Sequence, residues 1–217
     1  MLGKTFARLK KQKNNEPAAV VPSKPSAKAT DVGRIAKMLS ASGRVSLASL
    51  RKLAQEHEAD AFTQFVRRPV LVGSAIKSGV ISSAVANTDA LNTTQIFEPS
   101  RSQGVSIAAS ESLKHAIYPM VKGEYPATPR GSFYIGRING NDMIMPDYAI
   151  SKRHAIIDIE DGAYYIRDTG STNGTKLNGS RLSKKPTQIR DKDVVSFARY
   201  EFTFLYPVSL YKMLRDV

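Results

Sequence analysis

The sequence of 217 residues contains no cysteine and only three histidines. Without cysteine the protein can form no disulfide, no thiolate metal site and no cysteine nucleophile. Three scattered histidines offer little for a zinc site, and we therefore predict no metal and no cofactor. No apolar run approaches the roughly 18–20 residues that a helix needs to cross a bilayer, so no membrane association is expected.

The N-terminus is basic, but no apolar segment follows it as in a secretory signal, and we expect a cytoplasmic protein. The formal net charge is +13. Residues 1–30 hold seven Lys or Arg and one acid, so a net +6 lies in this short stretch. Such a tail can attract nucleic acid or acidic surfaces. A solvated, disordered tail is the interpretation that we favour.

Composition divides the chain into four parts. Residues 1–30 carry three prolines and few large apolar side chains, which predicts a disordered basic tail. Residues 31–79 show helical spacing and are predicted to be a small helical segment of unknown role. Residues 80–112 are rich in Ser, Thr, Ala and Asn and are predicted to be a linker. Residues 113–217 form the remaining domain.

The helical pattern of residues 31–79 is interrupted at Gly43. Ser46 is a suitable N-cap for a helix that we predict to run to about Phe65, before Pro69. Two helices joined at a glycine would fit a helix-turn-helix, a helical hairpin or a partner-binding helix. We favour the last two, because no basic recognition face is visible. A short β-like stretch follows at residues 70–79.

From His115 onward the apolar period is two, which is typical of strands. Residues 155–160 and 200–205 alternate clearly between apolar and polar side chains. The tight-turn signals between strands are Asp161-Gly162 and Asn178-Gly179. Strands at this spacing predict a mainly β fold, an antiparallel β-sandwich over residues 115–207. A short helix is predicted over residues 208–217.

Four blocks of polar turn residues interrupt these strands. They are Gly136-Arg137; Ser151-Lys152-Arg153-His154; Asp168-Thr169-Gly170-Ser171-Thr172-Asn173-Gly174-Thr175; and Leu177-Asn178-Gly179 together with Asp191 to Phe197. In order and approximate spacing the blocks resemble the forkhead-associated (FHA) domain. The resemblance covers residues 115–207 and implies an eleven-stranded sandwich whose loops bind phosphothreonine peptides at one end.

The resemblance implies phosphopeptide-binding roles for Arg137, Ser151, Lys152, Thr172 and Asn173. Arg137 would bind the phosphate, for which a permanently charged, planar guanidinium is well suited. The Ser151 hydroxyl would donate to a phosphate oxygen, and Lys152 would add a point charge. Thr172 would contact the phosphothreonine. Asn173 would hydrogen-bond the peptide main chain, because its amide both donates and accepts.

These residues also have simpler interpretations. Arg137 alone would be read as half of a surface ion pair with Asp142 or Asp147. Ser151 and His154 at this spacing could suggest a hydrolase. Beside the other blocks, Arg137 is better explained as a phosphate ligand, and the resemblance implies that His154 supports the loop.

Three residues are predicted to support the site: Gly136, His154 and Gly174. The two glycines would serve the backbone geometry of tight turns, where glycine permits positive φ. The family also implies a small recess for the threonine γ-methyl, worth about 1 kcal/mol when buried.

The predicted function is that of a non-enzymatic phosphothreonine-binding adaptor in Ser/Thr kinase signalling. Its partner would be a phosphothreonine-containing protein, either a kinase substrate or the kinase itself. One alternative is a DNA-associated regulator that uses residues 1–70, with the FHA domain as its phospho-switch. Another is self-association through a phosphorylated threonine in the chain's own linker. The sequence contains no Walker loop and no metal-ligand cluster that would favour an enzyme.

Overall fold

The computed structural model describes residues 34–77, 112–122 and 127–216. The predicted tail at 1–30 and nearly all of the predicted linker at 80–112 lie outside the described residues. The remaining predictions for strands and helices can be compared with the structure element by element.

Eleven strands are present in the described residues. They are β1 (Val70–Gly73), β2 (Ile117–Pro119), β3 (Ser132–Gly136), β4 (Met143–Ile144), β5 (Ala155–Glu160), β6 (Ala163–Asp168), β7 (Thr175–Leu177), β8 (Ser180–Arg181), β9 (Thr187–Ile189), β10 (Val194–Phe197) and β11 (Tyr200–Leu205). One sheet has the order β2-β1-β11-β10-β7-β8 and the other the order β4-β3-β5-β6-β9. The predicted antiparallel sandwich is confirmed, with one parallel pair, β3 with β4.

The main core lies between the two sheets and is rich in aromatic side chains. Strand β6 shows why its sequence folds as it does: Tyr164 and Ile166 are buried and alternate with half-buried neighbours. From the other sheet, Tyr118, Phe202 and Phe204 enter the same core. The alternation read from the sequence is therefore the inside–outside alternation of a sandwich strand.

Strand β1 begins the stretch at 70–79 that was predicted to be β-like, and it belongs to the six-stranded sheet, although the predicted division grouped it with the helical segment at 31–79. Val70 pairs with Leu205 and Gly73 with Phe202, and β2 pairs with the other edge of β1. The predicted boundary at residue 113 thus divides strands of one sheet. Leu71 faces the core between the sheets, whereas the side chains on either side of it face a second core.

That second core is formed by helices on the outer face of the six-stranded sheet. The helices are α1 (Leu47–Glu56), α2 (Ala59–Val66), a short α3 (Ser74–Lys77), α4 (Pro207–Arg215) and a 3-10 helix (Arg34–Met38). Ser46 is the N-cap of α1, as predicted, and its hydroxyl accepts from the Ser49 N–H. Helix α4 agrees with the short helix predicted at 208–217. These contacts give the helices a packing role, and the DNA-associated alternative stays a prediction.

The single helix predicted from Ser46 to about Phe65 is wrong, because the chain is extended at His57 and Glu58 between α1 and α2. A continuous helix would place Phe62 about 120° around the axis from Leu50, at roughly 3.6 residues per turn. Both side chains are fully buried in the core against the sheet. The break lets both helices direct their apolar faces to that core.

Candidate anion-binding site

Loops at one end of the sandwich are tied together by main-chain hydrogen bonds. The loop after β3 meets the β4–β5 loop where the Arg137 N–H donates to the Ser151 carbonyl, at 3.0 Å. The β4–β5 loop meets the β6–β7 loop where the Thr169 N–H donates to the His154 carbonyl. The β10–β11 turn joins them through the Ala198 N–H, which donates to the Gly174 carbonyl. The predicted site residues lie on these loops, except Gly136, which is the last residue of β3.

Arg137 follows β3 directly and is half-buried. Its Nε donates to the Ile150 carbonyl at 3.2 Å, which fixes the inner part of the side chain. Its guanidinium carbon lies 5.1 Å from the centre of the Tyr148 ring, a cation–π contact. The guanidinium is thus held from two sides by the β4–β5 loop.

The two carboxylates that could have neutralised Arg137 are occupied elsewhere. Asp142 pairs with Lys122 at 3.0 Å, and Asp147 pairs with Arg199 at 2.7 Å. Among the described residues, no carboxylate forms an ion pair with Arg137. The surface ion pair considered from the sequence is therefore not formed, and the positive charge is available to an external anion.

Ser151 and Thr172 bring two loops together through their side chains. The Ser151 Oγ accepts from the Thr172 N–H at 3.0 Å and lies 3.4 Å from the Thr172 Oγ1. Ser151 is half-buried and Thr172 is exposed. Two hydroxyl groups and a cation that lacks a carboxylate partner thus lie on adjoining loops, which is chemistry suited to an oxyanion.

His154 links the β4–β5 loop to the β6–β7 loop and is fully buried. Its Nδ1 accepts from the Ser151 main-chain N–H, and its Nε2 donates to the Gly174 carbonyl, each at 3.1 Å. This pattern requires the neutral tautomer with the proton on Nε2. Burial lowers the pKa of His154, against smaller raising effects from the hydrogen bond to Gly174 and the charge of Asp168. Because Nδ1 is engaged by the main chain rather than by the hydroxyl of Ser151, the two do not form a base–nucleophile pair.

The Asp168 carboxylate organises the β6–β7 loop. Its Oδ1 accepts from the N–H groups of Gly170 and Ser171, at 2.7 and 2.8 Å. Its Oδ2 accepts from the hydroxyls of Ser171 and Thr175, at 2.6 and 2.7 Å. Burial alone would raise the pKa of Asp168, but these hydrogen bonds outweigh it and the pKa lies below its ordinary value. The loop that carries Thr172 is thus fixed by four hydrogen bonds to one charge.

Asp168 lies in one of the four motif blocks of the sequence but was not predicted to support the site. The signal was present in the spacing: an Asp followed after two residues by Ser at a turn commonly accepts main-chain hydrogen bonds. The alternation along β6 puts Asp168 on the same buried side as Tyr164 and Ile166. It did not indicate that a carboxylate there would have four donors around it.

Lys152 and Asn173 are both exposed beside these residues. The Asn173 Nδ2 donates to the Ala149 carbonyl at 2.8 Å, so its amide is oriented by the β4–β5 loop. Its Oδ1 has no hydrogen-bond partner among the described residues and can accept from an external donor. The Lys152 ammonium likewise makes no ion pair with any described carboxylate.

The two glycines predicted to support the site allow close approaches. A Cβ on Gly136 would lie 2.3 Å from the Lys152 carbonyl oxygen, which is closer than real Cβ contacts. Gly174 has a φ of +82°, a backbone conformation that favours glycine; the atoms nearest to a Cβ there belong to the end of the exposed Arg181 side chain, which can move aside. Gly136 is thus required by the backbone next to it and Gly174 by its own conformation.

The described residues contain no group of three or more His, Cys, Asp or Glu that could hold a metal ion. Within the same residues no helix has the length and apolar character needed to cross a membrane. The cluster around Arg137 is the site that the sequence motifs and the loop contacts both indicate.

A family model and several curated proteins match the part of the chain that contains these loops. The FHA domain family model matches residues 133–198. An ABC transporter ATP-binding/permease protein of Mycobacterium tuberculosis is 37% identical over 76 residues, which are 35% of this chain and 9% of that protein. An FHA domain-containing protein of Arabidopsis thaliana is 35% identical over 74 residues, which are 33% of this chain and 19% of that protein. The chain thus spans less than a fifth of the length of either relative.

A solved structure from a study of phosphothreonine-dependent FHA domain interactions is also similar. It is 29% identical, covers 36% of this chain and 79% of its own, and has a TM-score of 0.33.

Proposed function

The chain carries a forkhead-associated domain in its C-terminal half, and we propose that it is a phosphothreonine-dependent adaptor that couples a Ser/Thr kinase to a partner protein. FHA domains bind phosphothreonine peptides in signalling and are generally non-catalytic binding modules. The partner would be the kinase itself or one of its substrates. A cytoplasmic location stays a prediction.

The observation that carries this proposal is the Arg137 guanidinium, which has no carboxylate partner among the described residues and lies against the β4–β5 loop. That loop is joined to the β6–β7 loop through Ser151 and His154. In the proposal Arg137 forms charge-assisted hydrogen bonds to the phosphate. The Ser151 hydroxyl donates to a second phosphate oxygen, and Lys152 adds a long-range attraction. Because the loops are already hydrogen-bonded to one another, little ordering entropy is lost when the phosphate binds.

The peptide main chain is assigned to the outer side of the β6–β7 loop. Asn173 is oriented by the Ala149 carbonyl and keeps an acceptor oxygen for a peptide N–H. Thr172 contacts the phosphothreonine itself. This division gives the phosphate to the cationic loops and the peptide backbone to the amide, and it accounts for each of the five predicted ligand-binding residues.

The test is a titration of the full chain with a degenerate phosphothreonine peptide library and with the same library unphosphorylated. The full chain is required because β1 would be missing from a fragment that began at residue 113. Phosphate-dependent binding, removed by Arg137→Ala in a folded protein, is the expected result. Equal binding of phosphorylated and plain peptides would refute the proposal.

A second candidate is recognition of a phosphothreonine in the chain's own residues 78–111, which include Thr88, Thr93 and Thr94. The favouring observation is where the flanking strands point. Gly73, the last residue of β1, pairs with Phe202 near the start of β11, and β11 starts at the β10–β11 turn that joins the site. The start of β2 lies at the same end.

The tether is long enough for this contact. From Lys77, the last residue of α3, to Thr88 there are 11 residues, which can span up to about 36–40 Å. A tethered ligand also has an effective concentration that a free peptide rarely reaches. After treatment with a Ser/Thr kinase, mass spectrometry should find a phosphate on one of the three threonines, and that protein should bind added phosphopeptide more weakly or change in size. An unchanged size and unchanged peptide affinity after phosphorylation would refute self-recognition.

A further inference from the structure

Three large apolar side chains are strongly exposed in the described part of the chain, and two of them lie beside Arg137. Tyr148 is 78% exposed, Ile138 is 42% exposed and Val208 is 51% exposed. Ile138 follows Arg137 directly, and the Tyr148 ring lies under its guanidinium. Single exposed apolar residues are normal on a protein surface. Two of the three exposed apolar side chains lie beside one cation that has no carboxylate partner, and this grouping indicates a contact surface.

The turn that carries Ile138 is fixed by its own backbone contacts. The Asn141 Nδ2 donates to the Ile138 carbonyl at 2.7 Å and to the Lys152 carbonyl at 2.9 Å. One amide therefore ties the turn after Arg137 to the loop that carries Ser151. Ile138 is therefore exposed on a turn that the hydrogen bonds of Asn141 hold in place.

The segment that carries Tyr148 is fixed by the carboxylate before it. The Asp147 Oδ1 accepts from the Ala149 N–H at 2.7 Å, and its Oδ2 accepts from the Tyr200 hydroxyl at 2.8 Å. Asp147 is buried, so the main chain on both sides of Tyr148 is anchored to the core. A tyrosine on a fixed backbone offers a large, rigid contact area and loses little conformational entropy when a ligand packs on it.

We propose that Tyr148 and Ile138 form an apolar subsite that selects a large apolar side chain close to the phosphothreonine in the bound peptide. This inference rests on the proposed function, since it places the subsite beside the phosphate-binding arginine. The guanidinium occupies one part of the Tyr148 ring through the cation–π contact, and the exposed remainder packs against an aliphatic or aromatic side chain. The ligand class is thus a phosphothreonine peptide with a bulky apolar neighbour.

The expected preference is moderate. Partial burial of one leucine or phenylalanine side chain, relative to alanine, should raise affinity roughly fivefold to twentyfold at the favoured position. The same contact should contribute nothing for a peptide with alanine at that position. A role of Tyr148 in holding Arg137 alone would weaken every phosphopeptide by the same factor.

The experiment uses the full chain and peptides with one fixed phosphothreonine, in which each flanking position is set in turn to Leu, Phe, Ala or Glu. Wild type should prefer Leu or Phe at one position. Tyr148→Ala should lose at least fivefold more affinity for that peptide than for its alanine counterpart, and Ile138→Ala should show a smaller loss of the same kind. Tyr148→Phe should keep the preference, and Val208→Ala is the control for removing an exposed apolar side chain elsewhere.

Two results would overturn the inference while leaving the proposed function intact. One is phosphate-dependent binding in wild type with no apolar preference at any position. The other is an equal loss for all phosphopeptides in Tyr148→Ala, which would make the tyrosine a positioning residue for Arg137. Binding that is indifferent to phosphorylation would overturn the proposed function and the subsite together.

Discussion

Replacing Asp168 by asparagine tests how the ligand-binding loop is held. The variant keeps an acceptor that can bind the N–H groups of Gly170 and Ser171, but it puts an NH₂ group in place of the oxygen that accepts from two hydroxyls. One of those hydroxyls, on Thr175, is fully buried. The amide is also neutral, so the charge that strengthens all four hydrogen bonds is lost.

The magnitude follows from the two hydroxyl bonds. A hydrogen bond to a charged group contributes about 1.5–3 kcal/mol net, and the new NH₂ can donate to the hydroxyl oxygens, which recovers part of the loss. We expect Asp168→Asn to lower the free energy of unfolding by about 2–4 kcal/mol. For a protein of this size that corresponds to a Tm lower by roughly 5–15 °C. Because Thr172 and Asn173 lie on the same loop, phosphopeptide affinity should fall at least about tenfold at a temperature where the variant is folded.

Urea unfolding and peptide titration by calorimetry measure the two effects on one sample. Asp158→Asn is the matched control: its carboxylate also accepts two side-chain hydrogen bonds, from Ser132 and Arg167, but on half-exposed strands away from the site. The control should lose less stability and no affinity. Wild-type stability and affinity in Asp168→Asn would refute the assigned role of this carboxylate.

Three further predictions follow from the same contacts. Burial holds the pKa of His154 below its ordinary value of about 6.5, so near and below pH 6.5 the unfolded chain binds more protons than the folded one. This residue therefore makes the free energy of unfolding fall as the pH decreases through that value. Thermal unfolding between pH 5 and 7.5 should show a smaller acid-side loss in His154→Gln than in the exposed control His57→Gln; equal slopes would contradict it. Gly136→Ala should destabilise the protein by more than about 1 kcal/mol beyond Gly131→Ala, because its new Cβ would lie 2.3 Å from the Lys152 carbonyl oxygen, whereas that of Gly131→Ala would have only an ordinary contact at 3.9 Å; equal costs in urea unfolding would count against the close contact. A fragment 113–217 should fail to unfold cooperatively, because it leaves β11 without its partner β1, whereas a fragment from residue 32 should unfold as one unit; a cooperative transition in the shorter fragment would refute the role of β1.

The strands and turns around the site could be predicted because their signals are local. Residues 155–160 alternate, and the following Asp161 and Gly162 both have positive φ, as a tight hairpin turn requires. Asn178 and Gly179 repeat this geometry, and the Asn178 Oδ1 accepts from the Val194 N–H at the start of β10. Each of these features depends on a few neighbouring residues, so the sequence alone is sufficient.

The position of β1 could not be predicted because its partner is distant and its burial is uniform. All four of its residues are buried, since one face meets the core between the sheets and the other meets the helices. A short apolar run without alternation does not distinguish a central strand from a buried helical turn. Its pairing with β11 spans more than a hundred residues, and no local pattern encodes it.

The break between α1 and α2 was missed for a related reason. No glycine or proline lies at His57 or Glu58, so the local helix signals continue across the break. Helix α1 ends because Leu50 and Phe62 both pack in the core on the same face of the sheet. This core exists only once the sheet has formed, so tertiary packing overrides the local helix propensity.

The most direct test of the account is the affinity of one phosphothreonine peptide, chosen from the library, for three forms of the full chain. These forms are wild type, Arg137→Ala and Arg190→Ala, the last removing an exposed arginine away from the site. Loss of a charge-assisted contact of about 1.5–3 kcal/mol predicts that Arg137→Ala binds roughly tenfold to a hundredfold more weakly, while Arg190→Ala binds like wild type. An Arg137→Ala protein that is folded and binds the phosphopeptide as tightly as wild type would contradict the account.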